Sequence, residues 1–101
     1  MNVVPSGVLF ERVSIMNEII GDNVLRKTRK AHVVWGRNMV CYSLFVDGYG
    51  YSGIGRAMGI DHATAIHCIK RVKEMLKNPV MFSVEVAIWQ KYSNLLSLQK
   101  Q

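Results

Sequence analysis

Residues 51–77 read YSGIGRAMGIDHATAIHCIKRVKEMLK, and this stretch decides the fold. It predicts a short helix over Ser52–Met58, a break at Gly59 and a long helix over about His62–Leu76. Asp61 precedes the long helix, where its carboxylate can accept a hydrogen bond from a backbone amide of the first turn. Two helices joined by so short a turn form the unit with which many proteins enter the major groove of DNA.

The long helix is predicted to be amphipathic. One apolar stripe, spaced by three or four residues, is expected to face the core and consists of Ala65, Ile69, Val72 and Leu76. The opposite face is small and polar near the helix start and basic further along. With this distribution the start of the helix can contact base edges and its later part can contact phosphates, although ordinary surface helices also show it. The residues of this face are Ala63, Thr64, His67, Lys70, Arg71 and Glu74.

Two more helices are predicted upstream of this stretch. The first follows a flexible lead-in over residues 1–7 and ends at Gly21, since glycine accepts the left-handed backbone just past a helix end. Its inward residues are Leu9, Val13, Met16 and Ile20. The second covers about Val34–Val46, but its β-branched valines make a strand the alternative for part of it. Its inward residues are Val40, Cys41 and Leu44.

The basic charge is concentrated in the middle of the chain. The net charge is +6, and residues 26–77 hold ten Lys or Arg against three acidic residues. Residues 26–30 alone place four cations in five positions, at Arg26, Lys27, Arg29 and Lys30. Such a run is often only a solvated loop. Positive charge concentrated in this way also favours binding of a polyanion. Nucleic acid is the preferred candidate, and an anionic membrane surface is the second.

The chain downstream of the long helix predicts one further helix. Asn78 and Pro79 end the long helix, and a last helix is expected from Val80 or Ser83 to Leu98. Its inward residues are Phe82, Val86, Trp89 and Leu96. The 101 residues are therefore expected to form one all-α domain, a bundle of five or six helices that contains a helix-turn-helix.

Several classes of protein are disfavoured by what the sequence lacks. No apolar run approaches the roughly 20 residues that span a bilayer, and no secretory signal is visible. Two cysteines, Cys41 and Cys68, are too few for a disulfide framework and are expected to be buried thiols in a reducing cytoplasm. No metal site is expected, because His62 and His67 point about 140° apart on a helix. No cofactor or enzymatic activity is expected either, since no nucleophile–base spacing is present.

The residues around the turn resemble a known family. The C-terminal DNA-binding domain of the bacterial replication initiator DnaA, a Trp-repressor-like helix-turn-helix, has a signature similar to Ile54–Gly59 (IGRAMG) followed by Asp61–His67 (DHATAIH). Arg26–Lys30 resembles the basic loop of that family, and Arg37–Met39 resembles its Arg-Gln-Ile or Arg-Gln-Met. Tyr92–Leu96 resembles its final helix, so that about 80 residues are covered in all.

The resemblance implies a domain that reads a short duplex in two grooves. Arg37 and the Arg26–Lys30 segment would reach the minor groove and the phosphate backbone. Asp61, His62 and Thr64 would read the major groove, where Asp61 can also accept a hydrogen bond from a cytosine amino group.

Three departures from the family pattern leave the base preference open. The turn is one residue shorter, and Ile60 stands where a basic residue is common. Ala63 replaces the first threonine of a pair, which removes a hydroxyl and a methyl contact. Gly53 replaces a glutamate. The fold is expected to tolerate these changes, but the initiator's own binding site is not assumed for this chain.

The expected function is sequence-specific binding of double-stranded DNA in the control of replication initiation, as a regulator, a competitor or a protein of a phage or mobile element. The sequence holds no Gly-x-x-x-x-Gly-Lys phosphate loop, so ATPase activity is not expected. Two alternatives stay open. One is a protein-interaction module that docks on a host replication protein, and the other is a nonspecific DNA-binding protein with a steep salt dependence and no preferred site.

Overall fold

Five α-helices make up the regular structure of residues 3–99, the part of the chain that the computed structural model describes. They are α1 (Ser6–Ile20), α2 (Ala31–Val46), α3 (Tyr51–Met58), α4 (His62–Lys77) and α5 (Ser83–Gln99). No strand occurs in this range, and none of its helices has the length and apolar character needed to cross a membrane. The predicted all-α class is confirmed, with the lower of the two expected helix counts.

The helix boundaries differ from the predicted ones mainly at N-terminal ends. α1 begins at Ser6 and Val4 is buried, so the predicted lead-in is too long; residues 1 and 2 lie outside the described range. α2 begins three residues earlier than predicted, because the amides of Val33 and Val34 donate to the Lys30 carbonyl. The strand alternative for this segment is wrong, since its valines lie inside α2.

Two glycines end helices as the sequence predicts. Gly21 follows α1 and Gly59 follows α3, and both have left-handed backbone, with φ of 67° and 71°. A side chain would strain this conformation, whereas glycine adopts it without a steric cost. These two residues set the points at which the chain leaves one helix and turns toward the next.

α2 lies at the centre of the bundle, where it packs against α1, α3 and α4. Its predicted inward residues Val40, Cys41 and Leu44 are fully buried. Cys68 of α4 is also buried, and both cysteines are free thiols, as expected. The strongest contact of α2 is with α4, so the central helix directly supports the helix on which the candidate site is built.

The buried stripe of α4 follows the prediction over most of the helix. Ala65, Ile69 and Val72 are buried, but the expectation for Leu76 is wrong: it is 37% exposed, and Met75 takes its place in the core. An α-helix has about 3.6 residues per turn, so a stripe continued by steps of four drifts away from the core. A step of three from Val72 brings the stripe back to the buried side.

Aromatic side chains attach α5, and Phe82 just before it, to α2. Trp35 and Phe82 meet edge-to-face with ring centroids 5.6 Å apart, and Tyr42 and Trp89 do so at 5.4 Å. Tyr92 is fully buried beside Trp89. The prediction that Trp89 faces inward is confirmed, although Trp35 and Trp89 are both only half-buried.

A polar network, here called the polar junction, joins α1, α2 and α5 through the buried residues Arg12, Ser43 and Tyr92 and the partly exposed Asp47. Arg12 is 3% exposed, forms an ion pair with Asp47 and donates from Nη1 to Ser43 Oγ over 3.2 Å. The Ser43 and Tyr92 hydroxyl oxygens lie 2.8 Å apart. Burial raises the pKa of Tyr92, so its hydroxyl stays protonated and can donate. Helical periodicity did not predict this network.

Candidate nucleic-acid interface

The turn between α3 and α4 consists of Gly59, Ile60 and Asp61. The Ile60 amide donates to the Gly55 carbonyl over 2.9 Å and holds the turn against α3. A Cβ atom on Gly55 would lie 2.7 Å from the Ile60 carbonyl oxygen, so a glycine is required there. The close approach at Gly55 is thus made by the backbone of the turn.

Asp61 caps α4 as predicted. Its Oδ1 accepts a hydrogen bond of 2.7 Å from the Thr64 backbone amide. This hydrogen bond is the main reason why the pKa of Asp61 lies below its ordinary value, and the Thr64 side chain and the charge of His62 lower it further. The ionised carboxylate therefore sits at the helix N-terminus, where the helix dipole favours negative charge.

The first turns of α4 present an exposed surface. His62, Ala63, Thr64 and His67 are exposed, and Lys70 is exposed one turn further along. The side chains of His67 and Lys70 form no hydrogen bond or ion pair with the described residues. This surface combines a hydroxyl, two imidazoles and a methyl group with a cation, all of which can meet base edges or phosphates.

Arg71 differs from Lys70 because it is half-buried on the flank of α4. Its guanidinium lies 5.0 Å from the Trp35 ring centroid and 5.9 Å from that of Phe82. Its Nη1 also donates to Glu74 over 2.8 Å. Arg71 therefore contacts α2 and the residue just before α5, and its guanidinium is engaged within the protein.

Arg37 supports the basic loop, defined here as residues 26–30. Its Nε donates to the Val24 carbonyl over 3.1 Å, and its Nη2 donates to the Arg26 carbonyl over 2.7 Å. Val24 is fully buried and fixes the chain just before the loop. The guanidinium predicted to reach a DNA groove is thus bound to the protein backbone in this structure, where it determines the path of the loop.

Asp22 ties Arg26 to the start of α2. Arg26 donates to both Asp22 oxygens, over 3.1 Å from Nε and 2.6 Å from Nη2. His32 Nε2 lies 3.0 Å from Asp22 Oδ2. The hydrogen bonds from Arg26 are the largest cause of the lowered pKa of Asp22, followed by the Asn23 amide, and the bond to His32 contributes less. Arg26 is therefore partly neutralised within the protein.

Lys27, Arg29 and Lys30 are the loop cations that remain uncommitted. All three are exposed, and none forms a hydrogen bond or ion pair through its side chain with the described residues. Of the four predicted loop cations, three thus point their charge into solvent, while Arg26 is held by Asp22.

A cleft of about 430 Å³ lies between the basic loop and the α3–α4 turn. It is lined by Leu25, Lys27, Thr28, Arg29, Arg37, Met58, Gly59 and Ile60. The cleft brings together two segments that are about 30 residues apart in sequence, and it places Lys27 and Arg29 beside the α3–α4 turn, which leads into α4. The two parts of the predicted site therefore occupy neighbouring positions on the surface.

Sequence reasoning missed Asp22, His32 and Tyr51. Asp22 and Arg26 are four residues apart, but they lie in the loop between α1 and α2, where the helical spacing rule for ion pairs does not apply. His32 and Tyr51 act across gaps of about ten residues, to Asp22 and to His62 respectively, and no local pattern marks them. Within the described range, no group of three or more His, Cys, Asp or Glu residues is placed to hold a metal ion.

Comparison of the chain with protein-family models, with curated proteins and with solved structures finds no match.

Proposed function

We propose that this chain binds double-stranded DNA in a sequence-specific manner, with α3 and α4 acting as a helix-turn-helix. The observation that carries the proposal is the cleft, across which Lys27 and Arg29 of the basic loop face the α3–α4 turn that leads into the exposed start of α4. A duplex offers two neighbouring grooves separated by one sugar–phosphate strand. A surface with two projecting segments on either side of a basic cleft matches that shape.

In the proposed complex α4 enters the major groove. Thr64 and His67 lie on one exposed face near the helix start, and a hydroxyl and an imidazole there can donate to or accept from base edges. Lys70 follows on the same side and would reach a phosphate. Asp61 and His62 flank the cap, so their side chains would meet the bases closest to the turn.

The basic loop would contact the neighbouring minor groove and its phosphates through Lys27, Arg29 and Lys30. We assign Arg37 and Arg26 a different role, since Arg37 binds the carbonyls of Val24 and Arg26, and Arg26 binds Asp22. These two arginines would shape the loop, and their positive charge would add to the field that attracts the duplex.

The cellular role that fits best is control of replication initiation, because residues 54–67 resemble the DNA-binding domain of DnaA. The proposed action of these 101 residues is occupancy of a DNA site. A regulator or a competitor of the initiator would act in this way.

Selection of bound duplexes from a random library at near-physiological salt, followed by sequencing, tests the proposal. We expect one short motif to be enriched. Thr64→Ala should then cost about 1–3 kcal/mol at particular base pairs, and Lys27→Ala should weaken all duplexes alike. Lys91→Ala is the matched control, because it removes an exposed cation from α5. Salt-dependent binding without any enriched motif would contradict sequence-specific recognition.

A second function, binding of a protein partner, is favoured by one specific observation. Three exposed apolar side chains lie close together in sequence around the start of α5. They are Val80, Met81 and Val84, which are 90%, 76% and 67% exposed. Apolar side chains exposed together often mark protein interfaces. This second function replaces the first if the chain binds no DNA duplex but binds a protein partner. The double variant Met81→Ser, Val84→Ser should then abolish binding of that partner.

A further inference from the structure

The imidazole of His62 rests against one other ring. Its centroid lies 5.8 Å from that of Tyr51, and the two ring planes are 87° apart, which is edge-to-face geometry. His62 is exposed and forms no hydrogen bond with another described residue. The direction in which this imidazole points therefore depends on Tyr51.

Tyr51 is itself held in place from behind. Its ring stacks on Phe45 with centroids 5.4 Å apart and planes only 9° apart. Phe45 in turn contacts Tyr42, at 6.5 Å, and the Nζ atom of Lys73 lies 4.8 Å from the Phe45 centroid. These residues come from α2, α3 and α4. The position of the Tyr51 ring is therefore fixed by three helices.

We infer that Tyr51 is a positioning residue for DNA specificity, and that it orients the His62 imidazole toward one base pair of the major groove. The inference rests on the proposed function. An exposed histidine at a helix start otherwise samples several rotamers, and ordering it on binding costs affinity. An edge-to-face partner fixes the ring beforehand, and the strength of such pairs corresponds to roughly a two- to tenfold change in an equilibrium constant.

Tyr51 contributes to discrimination between bases, whereas the loop cations contribute to affinity for any duplex. The Tyr51 ring is half-buried and carries no charge. Loss of the ring therefore leaves the phosphate contacts intact, and the effect is confined to the base pair that His62 meets. This pattern separates a positioning role from a purely structural one, which would lower the affinity for every duplex.

A double-mutant cycle on the full chain tests the inference. The variants are Tyr51→Leu, His62→Ala and the double variant, with Tyr51→Met as a second ring-free substitution and Tyr51→Phe as the conservative one. Binding constants are measured for the selected duplex, for each of its single base-pair changes and for a random duplex. Helix content and melting establish that each variant is folded, and NMR ring-current shifts of the His62 protons report the ring contact.

We expect Tyr51→Leu to lose roughly two- to tenfold in affinity at one base pair, no further loss when Tyr51→Leu is added to His62→Ala, and full retention in Tyr51→Phe. Additive losses, or an equal loss on all duplexes, would overturn the role of Tyr51 while leaving sequence-specific binding in place. If the unaltered chain prefers no duplex at all, the proposed function fails and this inference fails with it.

Discussion

The polar junction and the candidate interface use similar side chains for opposite purposes. At the junction Arg12 is turned inward and its charge is paired with Asp47 beneath α5. At the interface Lys27 and Arg29 are turned outward and have no side-chain partner among the described residues. The difference teaches that one chain can bury and pair some of its basic side chains while it leaves others exposed, and the exposed ones are those that we propose for DNA contacts.

Breaking the junction should have the largest effect. Arg12→Ala removes a buried cation that holds Asp47 and donates to Ser43, and it leaves a cavity between α1 and α2. Loss of one member of a buried ion pair typically costs 3–5 kcal/mol, and because Asp47 keeps a third of its side chain exposed, we expect about 3 kcal/mol. Urea unfolding measures this change. Lys27→Ala is the interface counterpart and should alter the unfolding free energy by less than about 0.5 kcal/mol.

Gly55→Ala should differ from changes at the junction or in the basic loop, because it is expected to lower both stability and DNA binding. The added Cβ would lie 2.7 Å from the Ile60 carbonyl oxygen, and backbone cannot move aside as a flexible side chain can. We expect a loss of about 2 kcal/mol in unfolding free energy and weaker discrimination between duplexes, since the turn positions Asp61. Gly7→Ala, with nothing within 4 Å of the new Cβ, is the control and should be neutral or slightly stabilising. Equal melting temperatures for the two variants would contradict the clash.

The elements that sequence periodicity can specify were largely predicted, and the contacts between elements were not. Helical spacing and the signals at Gly21, Gly59 and Asp61 are local, so they fixed the helices and the cap of α4. The contacts of Arg12 with Ser43 and of Arg37 with Val24 join residues 31 and 13 positions apart, and both depend on how helices pack. The local sequence around a basic residue does not indicate whether its side chain will be buried or exposed.

A finer test within the junction compares two tyrosines. Tyr92→Phe removes the hydroxyl that lies 2.8 Å from Ser43 Oγ, and Ser43 keeps its bonds to Arg12 and to the Val40 carbonyl. We expect a loss of about 1 kcal/mol, typical of one net hydrogen bond. Tyr42→Phe is the control, because the Tyr42 hydroxyl makes no hydrogen bond with the described residues. Thermal unfolding should leave Tyr42→Phe unchanged, and an equal effect of both variants would show that the junction hydroxyl contributes nothing.

The smallest loss of stability is expected for a change at Asp22, and the same change should increase the affinity for DNA. Arg26, the Asn23 amide and His32 hold the pKa of Asp22 below its ordinary value of 3.8. A carboxyl whose pKa is lowered by folding adds stability above its unfolded pKa, and this contribution is lost as pH falls through the folded pKa. The Asp22 side chain is 19% exposed, but its partners Arg26 and His32 are 45% and 44% exposed, so solvent screens the contribution.

Asp22→Asn should therefore lower stability only slightly at pH 7, and its difference from the unaltered chain should shrink below about pH 4. At the same time it releases Arg26 and removes a negative charge beside the basic loop. Affinity for any duplex at low salt should rise, with a steeper salt dependence than in the unaltered chain. Unfolding between pH 7 and pH 2 and a salt titration of duplex binding measure the two effects. Weaker binding by Asp22→Asn would mean that the Asp22–Arg26 pair holds the loop in the shape that DNA requires, so that this part of the interface, like the junction, depends on internal ionic contacts.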